Sequence, residues 1–268
     1  MPDGPCFHQK KSLGQNFLTD RKVLSQIIDR ASLSAEDVVL EIGPGQGVLT
    51  RELLASPCAF IHSVEIDRGL EPFLADLLLR HQDRFALHWA DALLFDYSSL
   101  NPVPLKVVAN LPYNVTTPLL WRLLEFLPRA SEYIVMVQKE AAERLTAPPR
   151  TKARYPLGIT LEIMGHAEII LSVPPSAFRP SPKVDSAVLK ITLSGTHPDL
   201  PRNTVWRELL RRGFAQRRKK LSKNLRAWRP DLSWSESLQK AGIEENARAE
   251  ELTISQWMGL LRSLESTP

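Results

Sequence analysis

The sequence predicts a doubly wound, Rossmann-like α/β sheet of seven strands, followed by a small all-helical domain. In the first two thirds of the 268-residue chain, short apolar runs alternate with segments of helical apolar spacing. Parallel strands need helical crossovers, so this alternation is typical of a parallel sheet. A glycine-rich turn follows the first of the regular strands, where such sheets bind ligands. Beyond residue 201 the strand pattern stops and only helical spacing continues.

The first half of the chain contains five predicted strands with helices between most of them. Asp20 is expected to cap the first helix, because its carboxylate can accept from backbone N–H groups of the first turn. Thr116-Thr117-Pro118 predicts another helix start, with a hydroxyl N-cap and proline in the first turn. The segments that follow Asp20 are strands at Val38 to Ile42, Phe60 to Val64, Phe85 to Trp89, Leu105 to Ala109 and Tyr133 to Val137, and helices at Val48 to Leu54, Leu70 to Leu79 and Leu119 to Leu127.

The second half of the chain is expected to complete the sheet and then to continue with helices alone. Short helices are predicted at Ala141 to Leu145 and Leu157 to Met164. Two strands, Ile169 to Val173 and Val184 to Leu193, flank a proline-rich loop and suit a sheet with one antiparallel strand. The expected domains are a ligand-binding domain at 1–193, a linker at 194–201 and a helical domain at 202–268. The helices of the last domain are predicted at Val205 to Phe214, Lys219 to Trp228, Ser235 to Ala241 and Ile254 to Leu264.

Composition favours a protein of the reducing cytoplasm that acts without a metal. The two cysteines, Cys6 and Cys58, form neither a metal-ligand spacing nor a disulfide framework. No apolar run approaches the roughly 20 residues of a membrane span. A monomer is expected, because no coiled-coil heptads appear.

The positive charge is concentrated in one region. Eleven Lys or Arg residues and one acid, Glu208, lie between Arg202 and Arg229, although the net charge of the whole chain is only +4. A cluster of this kind is typical of a surface that binds a polyanion. A solvated basic helix face would produce the same pattern.

Three strand ends predict a site for an adenosyl ligand. Gly43, Gly45 and Gly47 follow the first regular strand, so the backbone there can approach a ligand closely. Their spacing is G-x-G-x-G, which differs from the dinucleotide fingerprint. Glu65 ends the next strand, where a carboxylate can accept both ribose hydroxyls. Asp91 follows the third strand and could accept from an adenine amine.

Asn110-Leu111-Pro112-Tyr113 occupies a fourth strand end. The segment offers an amide, a stiff backbone and an aromatic face at the edge where ligands bind. A strand-end turn with a core tyrosine would look the same when taken alone.

These residues resemble those of the small-subunit ribosomal RNA adenine N6,N6-dimethyltransferases of the KsgA type. The resemblance runs in order from about residue 8 to 193, and the helical end is also similar. The segments that carry it are Lys11 to Leu18, Glu41 to Gly47, Val64 to Asp67, Asp91-Ala92, Asn110 to Tyr113, Val137 to Glu140, Pro174 to Ser186 and Phe214 to Lys219.

The resemblance implies S-adenosylmethionine as the methyl donor, with S-adenosylhomocysteine as the product. It implies a methyltransferase sheet as the fold, and two adjacent adenosines near the 3′ end of small-subunit rRNA as the substrate, within the assembling subunit. The residues expected to bind the cofactor are Asn16, Leu18, Gly43, Gly45, Glu65, Asp91, Ala92 and Asn110.

The implied reaction suggests roles for these residues and for the basic cluster. The Asn110 side-chain carbonyl and the Leu111 or Pro112 backbone carbonyl would accept from the adenine N6 amine. Tyr113 and Phe178 would stack on the flipped base, although Phe178 could instead anchor its proline-rich loop. The expected phosphate contacts are Arg217, Arg218, Lys219, Lys220 and Lys223.

Two alternatives remain open on the sequence alone. One is a methyltransferase of large-subunit rRNA that confers antibiotic resistance. The other is an RNA-binding assembly or transcription factor on the same fold. The chain departs from the family in one place, since Tyr155-Pro156 stands where Tyr-Gly is common.

Overall fold

The computed structural model describes residues 15–266, which form two compact units. The first unit extends to Ala142 and includes Glu168–Thr192, and the second joins Glu143–Ala167 to the chain from Leu193 onwards. The predicted boundary at 193 is therefore wrong for the segment 143–167. The reason is long-range packing within the second unit, where the Trp206 indole donates to the Thr160 hydroxyl at 3.0 Å.

The segment predicted as a linker, 194–201, also packs within the second unit. The Ser194 backbone N–H and hydroxyl both donate to the Met164 carbonyl, each at 2.9 Å. Leu200 and Pro201 are buried in a short 3-10 turn. The glycine and proline content predicted an irregular segment. The segment is irregular, but it packs within the second unit and does not form a free linker.

The central sheet has seven strands, as predicted. In chain order the strands are β2 (Val38–Ile42), β3 (Phe60–Glu65), β4 (Phe85–Trp89), β5 (Lys106–Asn110), β6 (Glu132–Gln138), β7 (Gly165–Val173) and β9 (Ser186–Leu193). Their order in the sheet is β4-β3-β2-β5-β6-β9-β7. The helices of the same part of the chain are α1 (Arg21–Ala31), α2 (Val48–Ala55), α3 (Glu71–Arg80), α4 (Thr116–Phe126), α5 (Lys139–Leu145) and α6 (Pro156–Met164).

The sheet topology defines where a ligand can bind. β2 pairs in parallel with β3 on one side and with β5 on the other, so the direction of winding reverses between β2 and β5. Ligands bind at such a switch point, beyond the carboxyl ends of the strands. β9 is antiparallel to β6, which confirms the expected antiparallel strand.

Two strands escaped sequence prediction because each has only two residues. β1 (Phe17–Leu18) pairs antiparallel with β8 (Phe178–Arg179), within the stretch that was expected to be an open loop. The hydroxyl cap of α4 is also a wrong prediction. Val115 is the N-cap, and the Thr116 hydroxyl donates instead to the Pro112 carbonyl at 3.1 Å. The predicted Asp20 cap is confirmed, since its carboxylate accepts from Lys22 N and Val23 N.

The second unit continues with helices α7 (Thr204–Gly213), α8 (Leu221–Trp228), α9 (Trp234–Lys240) and α10 (Ile254–Glu265). Three indole rings form much of its core, since the side chains of Trp206, Trp234 and Trp257 are almost fully buried. Within residues 15–266, we find no helix with the length and apolarity needed to cross a membrane.

Candidate functional site

A cavity of about 300 Å³ lies at the carboxyl ends of β2, β3 and β5. Its walls contain every residue that was predicted to bind the cofactor, together with the rest of the Asn110 segment. These residues are Asn16, Leu18, Gly43, Gly45, Glu65, Asp91, Ala92, Asn110, Leu111, Pro112 and Tyr113. The tertiary structure thus brings together four strand ends that lie far apart in the sequence.

The glycine turn between β2 and α2 has a backbone that only glycine adopts easily. Gly43, Gly45 and Gly47 have φ angles of +68°, +58° and +74°. A Cβ atom on Gly45 would lie 2.9 Å from the ring of Phe17, whereas one on Gly43 would meet no atom of residues 15–266 within 4 Å. The backbone at Gly43 therefore leaves open space where a ligand can approach.

Glu65 is the last residue of β3. It connects the glycine turn to the turn that follows β3. It is 5% exposed, and its carboxylate accepts from Gly45 N at 3.2 Å and from Asp67 N at 2.8 Å. Burial raises the pKa of Glu65 above its ordinary value, and the backbone N–H groups oppose this effect. Asp91, beyond β4, accepts from Leu93 N at 2.8 Å and is less buried.

A second buried carboxylate, Glu41 in β2, also lines the cavity, although it was not predicted as a site residue. Its Oε2 accepts from the Thr50 hydroxyl at 2.8 Å and from the Ser63 hydroxyl at 2.7 Å. Burial raises the pKa of Glu41 to about 7. The signal in the sequence was an acid within an otherwise apolar strand, immediately before the glycine turn.

The segment 15–20 forms one wall of the cavity. Gln15 Nε2 donates to Asp67 at 2.9 Å, and Thr19 N donates to the Ala177 carbonyl at 2.8 Å. Between these anchors Leu18 pairs with Phe178 in the small sheet. This segment is thus held from both sides of the cavity. The part of the Lys11 to Leu18 motif before residue 15 lies outside the described residues.

Asn110 presents an unusual amide at the end of β5. Its Nδ2 donates to the Asn16 carbonyl at 3.3 Å, which sets the orientation of the amide. Its Oδ1 is buried, and within residues 15–266 it has no hydrogen-bond partner. Buried acceptors are normally satisfied, so this oxygen is a group whose hydrogen-bond partner the described residues do not supply.

The three residues after Asn110 differ in which of their hydrogen-bonding groups already have a partner within the protein. The Pro112 carbonyl already accepts from Val115 N at 3.2 Å and from the Thr116 hydroxyl. Leu111 is buried, and its N–H donates to the Met136 carbonyl at 3.0 Å. Tyr113 is half-buried, and its hydroxyl shares a hydrogen bond of 2.6 Å with the Ser186 hydroxyl.

The structure corrects the expectation for Phe178. Its ring is 0% exposed and belongs to the hydrophobic core of the first unit, so it offers no face to a base. The stacking role was expected mainly from the family resemblance, and the alternative for Phe178 was an anchor for its proline-rich loop. Its pairing with Leu18, across most of the chain, is what places it inside.

The structure separates Arg217 from the other predicted phosphate contacts. Arg217 donates to the carbonyls of Lys152 and Arg154, at 2.6 and 3.1 Å, and its guanidinium lies over the Phe214 ring. It therefore fixes the 147–156 loop within the second unit. The remaining members of the predicted set are exposed: Arg218, Lys219, Lys220 and Lys223.

Comparisons with known proteins agree with this geometry. A model of a family described as "Ribosomal RNA adenine dimethylase" matches residues 6–266. A relative named Ribosomal RNA small subunit methyltransferase A, from Chromobacterium violaceum, is 39% identical over 260 residues, which is 95% of each chain. A relative of the same name from Acaryochloris marina is 40% identical over 263 residues, which is 95% of this chain and 97% of the relative.

Solved structures show the same fold. A dimethyladenosine transferase from Plasmodium falciparum superposes with a TM-score of 0.79 at 24% identity, covering 93% of this chain and 97% of its own. The 23S rRNA methyltransferase ErmE superposes with a TM-score of 0.68 at 26% identity, covering 94% and 100%. The α/β sheet with a helical C-terminal part is therefore common to all three proteins.

Proposed function

The chain belongs to the ribosomal RNA adenine dimethylase family, and from this we propose the reaction that it catalyses. It transfers methyl groups from S-adenosylmethionine to N6 of two adjacent adenosines in a hairpin loop near the 3′ end of small-subunit (16S) rRNA. The products are N6,N6-dimethyladenosines and S-adenosylhomocysteine. The reaction takes place on the assembling small subunit in the cytoplasm.

The observation that carries this proposal is the orphan Oδ1 of Asn110. Asn110 lines the cavity, its amide is oriented by the bond from Nδ2 to the Asn16 carbonyl, and its Oδ1 has no donor among residues 15–266. An exocyclic amine supplies the missing donor. An adenine N6 amine has two N–H bonds, so it can satisfy this oxygen and a second acceptor at the same time.

We assign the second acceptor to the Leu111 carbonyl rather than to Pro112. The Pro112 carbonyl already accepts two hydrogen bonds within its own turn. The Leu111 residue is fixed by its N–H bond to Met136 in β6, so its carbonyl is held rigidly at the cavity wall. Two fixed acceptors would bind both N–H groups of the amine. The N6 lone pair would then be directed away from these acceptors.

The protein's task in this reaction is positioning. The N6 lone pair is delocalised into the adenine ring, and accepting both N–H bonds favours the more tetrahedral nitrogen that can attack. S-adenosylmethionine, when bound, supplies an electrophilic methyl group on sulfur. The cavity must hold the reacting atoms about 3–3.5 Å apart and in line. The methylated nitrogen is acidic and loses a proton readily, so no general base is needed.

The residues around the cavity fit an adenosyl ligand. Gly43 leaves open space beside a backbone that can approach closely, and Glu65 and Asp91 present carboxylates at successive strand ends. Glu65 would accept the ribose hydroxyls, and Asp91 the adenine amine. Of the two residues predicted to stack on the target base, Tyr113 lines the cavity, whereas Phe178 lies in the core.

The second unit supplies contacts to the RNA backbone. The exposed basic residues at its surface are Arg218, Lys219, Lys220 and Lys223. Contacts of this kind position RNA without reading its sequence. Arg217 supports this surface indirectly, because it holds the loop at Lys152.

The test is methylation of purified ribosomal subunits. We expect transfer of labelled methyl groups to unmodified small subunits, and mass spectrometry should locate dimethyladenosine at two adjacent positions. Large subunits, incubated in parallel, should remain unlabelled. Label on large subunits alone would favour the reaction named for ErmE, and no methylated adenine in either subunit would contradict the enzymatic proposal.

A further inference from the structure

We propose that Ser186 is a positioning residue that fixes the Tyr113 ring at the edge of the cavity. This inference rests on the proposed function, in which Tyr113 stacks on the target adenine. The supporting contact is the hydrogen bond between the two hydroxyl oxygens, 2.6 Å apart. Ser186 itself does not line the cavity, so it acts through Tyr113.

The direction of β9 explains how Ser186 reaches this position. Parallel strands bring their last residues to the ligand-binding edge, but an antiparallel strand brings its first. Ser186 is the first residue of β9 and lies opposite Gln138, the last residue of β6. Lys139 N donates to the Asp185 carbonyl at 3.0 Å, which secures the same end of the strand pair. The Ser186 hydroxyl therefore projects from rigid backbone.

Tyr113, by contrast, lies in the short connection between β5 and α4. The turn around it is closed by the bond from Val115 N to the Pro112 carbonyl. A tyrosine ring on such a turn can rotate about two side-chain bonds. The bond from its hydroxyl to a fully buried serine holds the far end of the ring, so only one orientation satisfies both groups.

The same bond decides what Tyr113 offers to a substrate. Its hydroxyl already has a partner, so the ring face is the part left for a base. Burial raises the pKa of Tyr113 above its ordinary value, which keeps the hydroxyl neutral. A neutral hydroxyl bonded to serine has no part in proton transfer, in agreement with a reaction that needs no general base.

Ser186→Ala should lower kcat for methylation about threefold to tenfold, the range expected for one neutral hydrogen bond. KM for S-adenosylmethionine should not change, because Ser186 does not reach the cavity wall. Tyr113→Phe tests the same bond from its other end, since it keeps the ring and removes only the hydroxyl. We expect a similar loss of kcat in this variant.

The double variant distinguishes positioning from independent damage. If the hydroxyls act only through each other, Ser186→Ala should change kcat by no more than about twofold in a Tyr113→Phe background. Multiplication of the two single losses would overturn the inference. A kcat of Ser186→Ala equal to that of the wild type would also overturn it.

An activity-independent measurement separates this inference from the proposed function. The chain contains only four tyrosines, so protein labelled with ¹³C at tyrosine should show four sets of ring signals. The Tyr113 set is identified by its loss in Tyr113→Phe. In Ser186→Ala we expect this set to shift or broaden while the other three stay unchanged. Unchanged Tyr113 signals would overturn the positioning role, whereas absence of methylation by the wild type would overturn the proposed function.

Discussion

Replacing Asn110 with alanine should separate catalysis from stability. Among residues 15–266 the side chain makes one long hydrogen bond, from Nδ2 to the Asn16 carbonyl at 3.3 Å, and Oδ1 is buried without a partner. A hydrogen bond of this kind contributes about 0.5–1.5 kcal/mol, and an unpartnered buried acceptor costs about 1–3 kcal/mol. These effects oppose each other, so we expect the free energy of unfolding to change little.

The loss of turnover should be much larger. In the proposed reaction Oδ1 gains a partner when the N6 amine arrives, and the bond strengthens as the nitrogen becomes more tetrahedral. Removing one such preorganised group from a buried reaction centre lowers kcat by about 10² to 10³. Alanine cannot replace this acceptor, and water in its place would not be oriented.

The assay pairs initial rates on unmodified small subunits with urea unfolding of the same preparations. Asn114→Ala is the matched control, since Asn114 is exposed and lies four residues further along the same cavity wall. We expect near-wild-type turnover in that control. A rate for Asn110→Ala within about threefold of the wild type would refute the acceptor role, and so would a large loss of stability that accounts for the lost rate.

Three further predictions concern pH, the glycine turn and RNA. Because burial raises the pKa of Glu41 from 4.5 to about 7, the folded protein keeps a proton that the unfolded chain releases between these values. Stability should therefore fall as pH rises from 4.5 to 7, by about 3 kcal/mol in all, and Glu41→Gln should remove this part of the dependence in urea unfolding. Gly45→Ala forces a left-handed backbone at φ +58° and a contact with the Phe17 ring, so calorimetry should show roughly tenfold weaker binding of S-adenosylhomocysteine. Reversing the charges of Arg218 and Lys219 should reduce the slope of log K against log [salt] for RNA by roughly 0.7–0.9 per lost phosphate contact.

Each of these three predictions has a control in the same chain. Glu52→Gln changes an exposed carboxylate and should leave the pH dependence of stability as it is. Gly195 also has a left-handed φ, of +74°, but a Cβ there would meet no described residue within 4 Å, so Gly195→Ala should leave cofactor affinity unchanged. Reversing Arg30 and Arg80, which are exposed on α1 and α3, alters net charge equally and should preserve the salt slope. Equal effects in variant and control would contradict the corresponding prediction.

The sequence alone determined the sheet and the place of the site. β2 and β4 match their predicted ends, since each is a short apolar run between polar residues. Glu65, Asp91 and Asn110 were predictable as neighbours because parallel strands end at the same edge. The glycine turn was predictable too, since repeated glycines mark a backbone of positive φ.

Tertiary structure alone decided which of these side chains are available. Phe178 lies in the core because β8 pairs with β1, and Arg217 donates to backbone carbonyls of the 147–156 loop. Neither outcome follows from local composition, because each depends on a partner tens of residues or more away. The orphan oxygen of Asn110 and the bond between Tyr113 and Ser186 have the same origin. Spacing along the chain predicts helices, strands and their ends, but hydrogen-bond partners across the fold are defined only when the whole chain has packed.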